Sequence, residues 1–136
     1  MKKDMKTVNT KTILIADDDI DILNQLSAQI KSMGFGVITA ETQKEAEKII
    51  QEQKPDLAIF DLMMDNRDSG FILSYTLKKK YPDVPVIIAT AVTSDTGIIF
   101  EADTPEQKSW IKADRYLEKG LRPEQLEKEI KQLLNV

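Results

Sequence analysis

The chain has 136 residues, 41% of them apolar and 31% charged, with a net charge of −4 and a pI near 4.9; this describes one domain with an ordinary core, too acidic for one that grips a phosphate backbone. It holds no Cys and no His, so disulfides, thiol catalysis and imidazole chemistry are excluded, and any reaction must run on carboxylates, hydroxyls, lysines and metal ions. No apolar run is long enough to cross a bilayer and no stretch has the form of a signal peptide, which sets the expectation of a cytoplasmic protein without membrane contact.

Residues 1–11 are polar and read as an N-terminal tail, with the domain spanning 12–136. "TILIAD" (Thr12 to Asp17) is an apolar run of the kind found in strands buried on both faces. Ile20, Leu23, Leu26, Ile30 and Met33 follow at spacings of three and four, a helical stripe that Gly34 stops. "GVIT" is a short second strand. "TQKE" (Thr42 to Glu45) is a capping box opening a helix with Ala46, Ile49 and Ile50 inward, ended before Pro55. "LAIFD" (Leu57 to Asp61) is a third strand. Phe71, Leu73 and Leu77 mark a third helix stopped at Pro82, and its "KKK" (Lys78 to Lys80) reads as a solvated end near the negative helix pole. "PVIIAT" (Pro85 to Thr90) is a fourth strand and "RYLEK" (Arg115 to Lys119) a weaker fifth. Pro123 suits a first helical turn, with Leu126, Ile130 and Leu133 as the last stripe. Residues 92–113, with the lone Trp110, show little periodicity. Strand and helix in alternation mean an α/β domain with a parallel sheet and right-handed crossovers.

Ligands of open parallel sheets sit at the carboxyl ends of the strands. This chain puts Asp17 and Asp18 at the end of the first strand, Asp61 at the third, Thr90 at the fourth and Lys119 at the fifth. Three carboxylates gathered there resist ionising together and need a cation. Oxygen ligands alone, with no His or Cys, select Mg2+ or Mn2+. Thr and Lys both bind phosphoryl oxygens, so the set points to metal-assisted phosphoryl chemistry on a carboxylate nucleophile. Taken singly, Asp17 and Asp18 fit a helix cap equally well, and Asp61 fits a turn residue. Asp19 reads as the N-cap of the first helix rather than a metal ligand.

The stretches "ILIADDD", "PDLAIFDLMM", "SGF", "VPVIIATA" and "DRYLEK", in that order, resemble the receiver domain of two-component response regulators over about 110 residues. The resemblance implies a flavodoxin-like, doubly wound, five-stranded parallel sheet of order 2-1-3-4-5. It implies that Asp61 is the phospho-accepting nucleophile, and that Asp18, Asp61 and the backbone carbonyl of Met63 bind Mg2+ (or Mn2+), with Asp17 acting through water. Thr90 and Lys119 would meet the phosphoryl group, and Tyr116 would turn with Thr90 in the switch. The donor would be a histidine kinase or phosphotransfer protein, the output an altered surface for a downstream protein, and no separate substrate would be turned over. With Met63 and Val92 flanking the approach of water, and small Ala91 leaving room for a phosphatase, the acyl phosphate would be long-lived. The chain closes one helix after Lys119, so a receiver that stands alone or is cut from a longer protein is expected.

This sequence departs from that family in three places. The loop after Asp61 reads "DNRDSG", one residue longer and without the usual Pro. Gly120 stands where a cis Pro usually follows the Lys, and a cis bond before a non-Pro residue costs roughly 3–4 kcal/mol, so a trans Lys119–Gly120 bond is expected. The stretch from Thr90 to Lys119 is long, so the helix between the fourth and fifth strands should be shortened, displaced or replaced by a loop, and residues 93–112 should be the most mobile after the tail. Two other readings compete. "ILIADDD" is also similar to the Asp-x-Asp strand of haloacid-dehalogenase-type phosphohydrolases, with Asp17 as nucleophile and Asp19 as acid, which leaves Asp61 without a role. A pseudo-receiver, a binding module that takes no phosphate, is the other.

Overall fold

The computed structural model describes residues 10–90 and 113–136. Among them run β1 (Thr12–Ala16), α1 (Ile20–Ser32), β2 (Gly36–Ala40), α2 (Gln43–Glu52), β3 (Leu57–Asp61), α3 (Ser69–Lys80), β4 (Val86–Thr90), β5 (Arg115–Glu118) and α4 (Pro123–Leu134). The expected strands and helices are present with ends shifted by a residue or so. The expectations for the β4–β5 connection, for Ala91, Val92 and Trp110, and for most of the N-terminal tail lie outside the described residues.

The five strands form one parallel sheet in the order β2-β1-β3-β4-β5. Alternate residues of each strand feed opposite layers. Leu14, Ala58, Phe60 and Ile88 pack with Ala46 and Ile50 of α2 and Leu73 and Leu77 of α3. Ile13, Ile15, Ile59 and Ile87 pack on the other face with Leu23 and Ile30 of α1 and Leu126 and Ile130 of α4. Helices on both faces leave the central strands no solvated side, so β3 and β4 are buried at every position, which is why they read as unbroken apolar runs. Burying each such Leu, Ile or Phe side chain contributes about 1.5–3 kcal/mol.

Local signals set the helix ends. Asp19 caps α1, its carboxylate accepting from the N–H groups of Asp21 (3.0 Å) and Ile22 (3.3 Å). Gly34 follows α1 at φ +97, a left-handed backbone that side chains resist. Thr42 caps α2 by accepting from Glu45 N–H at 3.0 Å, while the Glu45 carboxylate reaches back one residue further than a capping box requires, to Glu41 N–H at 2.7 Å.

Two sequence expectations are corrected. Ile20 belongs to the α1 stripe but is 47% exposed, because the first residue of that helix stands beyond the packed face. Lys78 is not a solvated helix end. Its ammonium lies 2.8 Å from Asp114, and its side chain is only 16% exposed. The Asp114 carboxylate also accepts from Val86 N–H (2.8 Å), and its own N–H donates to the Val86 carbonyl (2.8 Å). Asp114 thereby pins the start of β5 to β4 and α3.

The Ser74 hydroxyl on α3 is fully buried and is the one buried side-chain polar atom among the described residues without a hydrogen-bond partner. Leaving such a group unsatisfied costs about 1–3 kcal/mol. Ser74→Ala should therefore raise the unfolding free energy by about 1 kcal/mol, read as a higher urea midpoint at unchanged slope. A lowered midpoint would mean that the hydroxyl makes a bond that stabilises the fold.

Candidate functional site

The carboxyl ends of β1, β3, β4 and β5 converge. Asp17 follows β1 and is 2% exposed, Asp61 ends β3 at 5%, and Thr90 ends β4 at 2%. Asp18, one residue further along, is exposed. Carboxylate oxygens of Asp17, Asp18 and Asp61 all lie within 4.8 Å of one another. Lys119, just past β5, donates to Asp17 Oδ2 and to Asp61 Oδ1, each at 3.0 Å. Its own backbone is fixed by an N–H bond to the Thr90 carbonyl at 2.8 Å. No peptide bond among the described residues is cis, so Lys119–Gly120 is trans, and Gly120 takes φ +89. A residue with a Cβ would be strained there, so this glycine gives the chain a way out of β5 that does not use a proline.

Three acids against one ammonium leave a formal charge of −2. Burial and the neighbouring Asp17 and Asp18 raise the Asp61 carboxyl, outweighing the opposing pull of Lys119, and its pKa is pushed up to about 6. Burial pushes Lys119 down, but bonds to Asp61 and Asp17 more than offset it, and its pKa ends above the usual lysine value. The lysine stays charged, and it is shared too widely to neutralise the cluster. The donor set is all oxygen, carries excess negative charge and is partly open on the Asp18 side, which fits a hard dication such as Mg2+. Asp17 is less free than Asp18, because its Oδ1 also accepts from Asp19 N–H at 2.9 Å. The Asp19 carboxylate is instead occupied in capping α1 and is not among the acids that cluster, so an Asp17/Asp19 nucleophile–acid pair does not fit.

Behind this edge, Tyr116 of β5 is partly buried, which raises its hydroxyl pKa, and its ring meets Phe71 edge-on, with centroids 6.4 Å apart at 74°. In the sequence Phe71 stands in a helical stripe and in the "SGF" stretch, neither of which shows this ring contact. It abuts the ring that the resemblance makes a switch.

The loop from Leu62 to Asp68 carries Met63, whose side chain is 49% exposed. Leu62 prolongs β3 through a bond to the Ala89 carbonyl (2.9 Å), and its own carbonyl accepts from Gly70 N–H at 2.8 Å. The rest of the loop is tied to the start of α2. Gln43 Oε1 accepts from Asn66 Nδ2 (3.0 Å) and from Ser69 Oγ (2.8 Å), and Gln43 N–H donates to Asp65 Oδ1 (3.3 Å). Ser69 Oγ accepts in turn from Asn66 N–H at 3.0 Å. Sequence reasoning missed Gln43, Ser69 and the close seat of Gly70. Only "SG" at the mouth of a helix hinted at the last.

A family model described as response regulator receiver domain matches residues 13–131. Among curated proteins, the chain is 34% identical over 127 residues to a probable transcriptional regulator ycf27 of Cyanophora paradoxa, covering 93% of this chain and 49% of that protein. It is 40% identical over 78 residues to the heme response regulator HssR of Staphylococcus aureus (strain bovine RF122 / ET3-1), covering 57% of this chain and 34% of that protein. The chain thus spans about half or less of these relatives. Among solved structures, a CheY-like receiver domain protein from Methanospirillum hungatei JF-1 superposes with a TM-score of 0.77 at 26% identity, covering 93% of this chain and 95% of that one. The response regulator TrrA from Thermotoga maritima, solved in complex with Mg(2+)-BeF, gives 0.74 at 26% identity, covering 91% and 99%.

Proposed function

The chain belongs to the response regulator receiver domains of two-component systems, and from that premise we propose that it accepts a phosphoryl group on Asp61 and answers by altering partner binding. The observation that carries the reading is Asp61 itself: a carboxylate at the end of a buried strand, held at 3.0 Å by Lys119 and ringed by two further acids. Asp18, Asp61 and the Met63 carbonyl would hold Mg2+, with Asp17 acting through water. When bound, the ion supplies charge neutralisation for the carboxylates and the incoming phosphoryl oxygens.

The protein's own groups do the rest. An Asp61 oxygen forms the new bond to phosphorus while the bond from phosphorus to the donor imidazole nitrogen breaks, and the imidazole leaves with that electron pair. Lys119 is placed to move from Asp61 to a phosphoryl oxygen, and Thr90, at the end of the next strand, to receive another. Drawing Thr90 inward would change the space beside Tyr116, whose ring bears on Phe71, and carry the signal along β5. The donor is proposed to be a histidine kinase or phosphotransfer protein. Ile20 and Met63, each about half exposed, give the rim near the acids an apolar surface for it to meet. No turnover of a separate substrate is proposed. No helix among the described residues is long and apolar enough to cross a membrane.

Incubation with acetyl phosphate and Mg2+ should label Asp61 alone. Asp18→Ala should weaken Mg2+ binding at least about 10-fold. Asp19→Ala should cost about 1 kcal/mol of stability through the lost cap and leave Mg2+ affinity unchanged. Labelling elsewhere than Asp61, or equal losses of Mg2+ affinity in both variants, would overturn the assignment.

A further inference from the structure

We propose that Gln43, the first residue of α2, is a positioning residue for the loop after β3 and, through that loop, for the Met63 carbonyl. The inference rests on the proposed Mg2+ site of the phospho-acceptor reading. A backbone carbonyl ligates well only if its loop holds it in place. This loop lacks a proline, which would fix a backbone angle, and it is one residue longer than its resemblance implies.

Gln43 supplies the missing restraint from outside the loop. Its side-chain carbonyl oxygen accepts from Asn66 and Ser69, and its backbone N–H donates to Asp65. Its amide nitrogen donates to Glu47 Oε2 at 2.9 Å, one turn along α2. That last bond fixes which way the amide faces. Turned over, it would set an NH2 against the NH2 of Asn66 and a carbonyl against a carboxylate. Asn66 then passes the restraint on, because its carbonyl accepts from Met64 N–H at 3.1 Å, beside Met63. The frame is firm, since α2 is anchored by the fully buried Ala46 and Ile50 and capped by Thr42.

The role separates from catalysis and from bulk stability in one titration. Gln43→Leu keeps the approximate shape and removes the bonds. Calorimetry of the full chain with Mg2+ and no phosphate donor should show a dissociation constant raised about 10-fold. The Mg2+ concentration giving half-maximal phosphorylation by acetyl phosphate should rise by the same factor, with the rate at saturating Mg2+ kept within about two-fold. Gln43→Glu combined with Glu47→Gln keeps an acceptor toward Asn66 and Ser69 and reverses the donor and acceptor along α2, so it should restore wild-type affinity. Wild-type Mg2+ affinity in Gln43→Leu, or a double variant no better than it, would overturn the proposal. Should Gln43→Leu not fold, Asn66→Ala cuts the same link from the exposed loop side and is read by the same calorimetry. A wild type that binds Mg2+ but never takes phosphate on Asp61 would overturn the phospho-acceptor reading alone, since the calorimetric comparison decides Gln43 without any phosphate.

Discussion

In metal-free buffer, raising the pH from about 4 to 7 should cost the wild-type domain about 2 kcal/mol of stability relative to an Asp61→Asn variant. The cause is the Asp61 carboxyl, raised from 3.8 in the unfolded chain to about 6 in the fold, first by burial and then by its acidic neighbours. Below the unfolded value both states hold the proton and the contribution is nil. Between the two values the unfolded chain has released its proton while the folded chain keeps it, so folding binds protons and stability falls as pH rises. Above the folded value the loss is complete and constant. The amide of Asp61→Asn carries no charge to bury, so that variant should be the more stable at pH 7, and it should accept no phosphate, because an amide is not the required nucleophile. Mg2+ should return much of the lost stability to the wild type by binding the folded state, and little to the variant. Urea unfolding of both proteins at pH 4 and 7, with chelator and with Mg2+, measures these differences, and the difference between proteins cancels the other titrating groups. A wild type that gains on the variant as pH rises would show that Lys119 outweighs the repulsion, and that the acids need no cation.

Much of the layout was legible because it depends on neighbours in sequence. β3 is an apolar run ending in an acid, and a strand covered on both faces admits little else, so Asp61 could be placed at the sheet edge from "LAIFD" alone. Asp19 could be read as a cap because capping is local. The order of the strands came from resemblance, since alternation alone fixes parallel pairing but not which strand neighbours which. What was illegible joins distant residues through loop paths. Lys78 looks like one of three solvated lysines, and nothing in "KKK" shows that one of them turns onto Asp114. Gln43 looks like the second letter of a capping box. Its bonds to Asn66 and Ser69 span more than twenty positions and exist only because α2 and α3 lie side by side on one face of the sheet. The Gly120 substitution was legible as a change of isomer. The left-handed turn that replaces the proline could be seen only in the backbone.

Gly70→Ala should be the most damaging single methyl that can be added near the site. A Cβ at that position would lie 2.8 Å from the Asp61 carbonyl oxygen and 2.8 Å from Leu62 Cα. Both are backbone atoms of the strand end that presents the nucleophile, so no side chain can swing aside. In an ordinary helix, Ala would gain about 1 kcal/mol over Gly, whereas overpacking against fixed atoms costs about 1–3 kcal/mol and sometimes more. Here the clash wins, because the Gly70 N–H bond to the Leu62 carbonyl at 2.8 Å holds the helix against that backbone. Relief requires either that α3 lift from β3, breaking that bond and loosening Ser69, or that Asp61 and Leu62 shift. Both move the nucleophile relative to Lys119, and a displacement near 1 Å costs about 100-fold in rate. The variant should therefore unfold at lower urea and take phosphate from acetyl phosphate about 100-fold more slowly at saturating Mg2+. This differs from loss of the Gln43 bonds, which weakens the hold on Mg2+ and spares the saturated rate. Wild-type stability together with a wild-type rate would mean that β3 yields without consequence, and that the close seat of α3 is not what holds Asp61 in place.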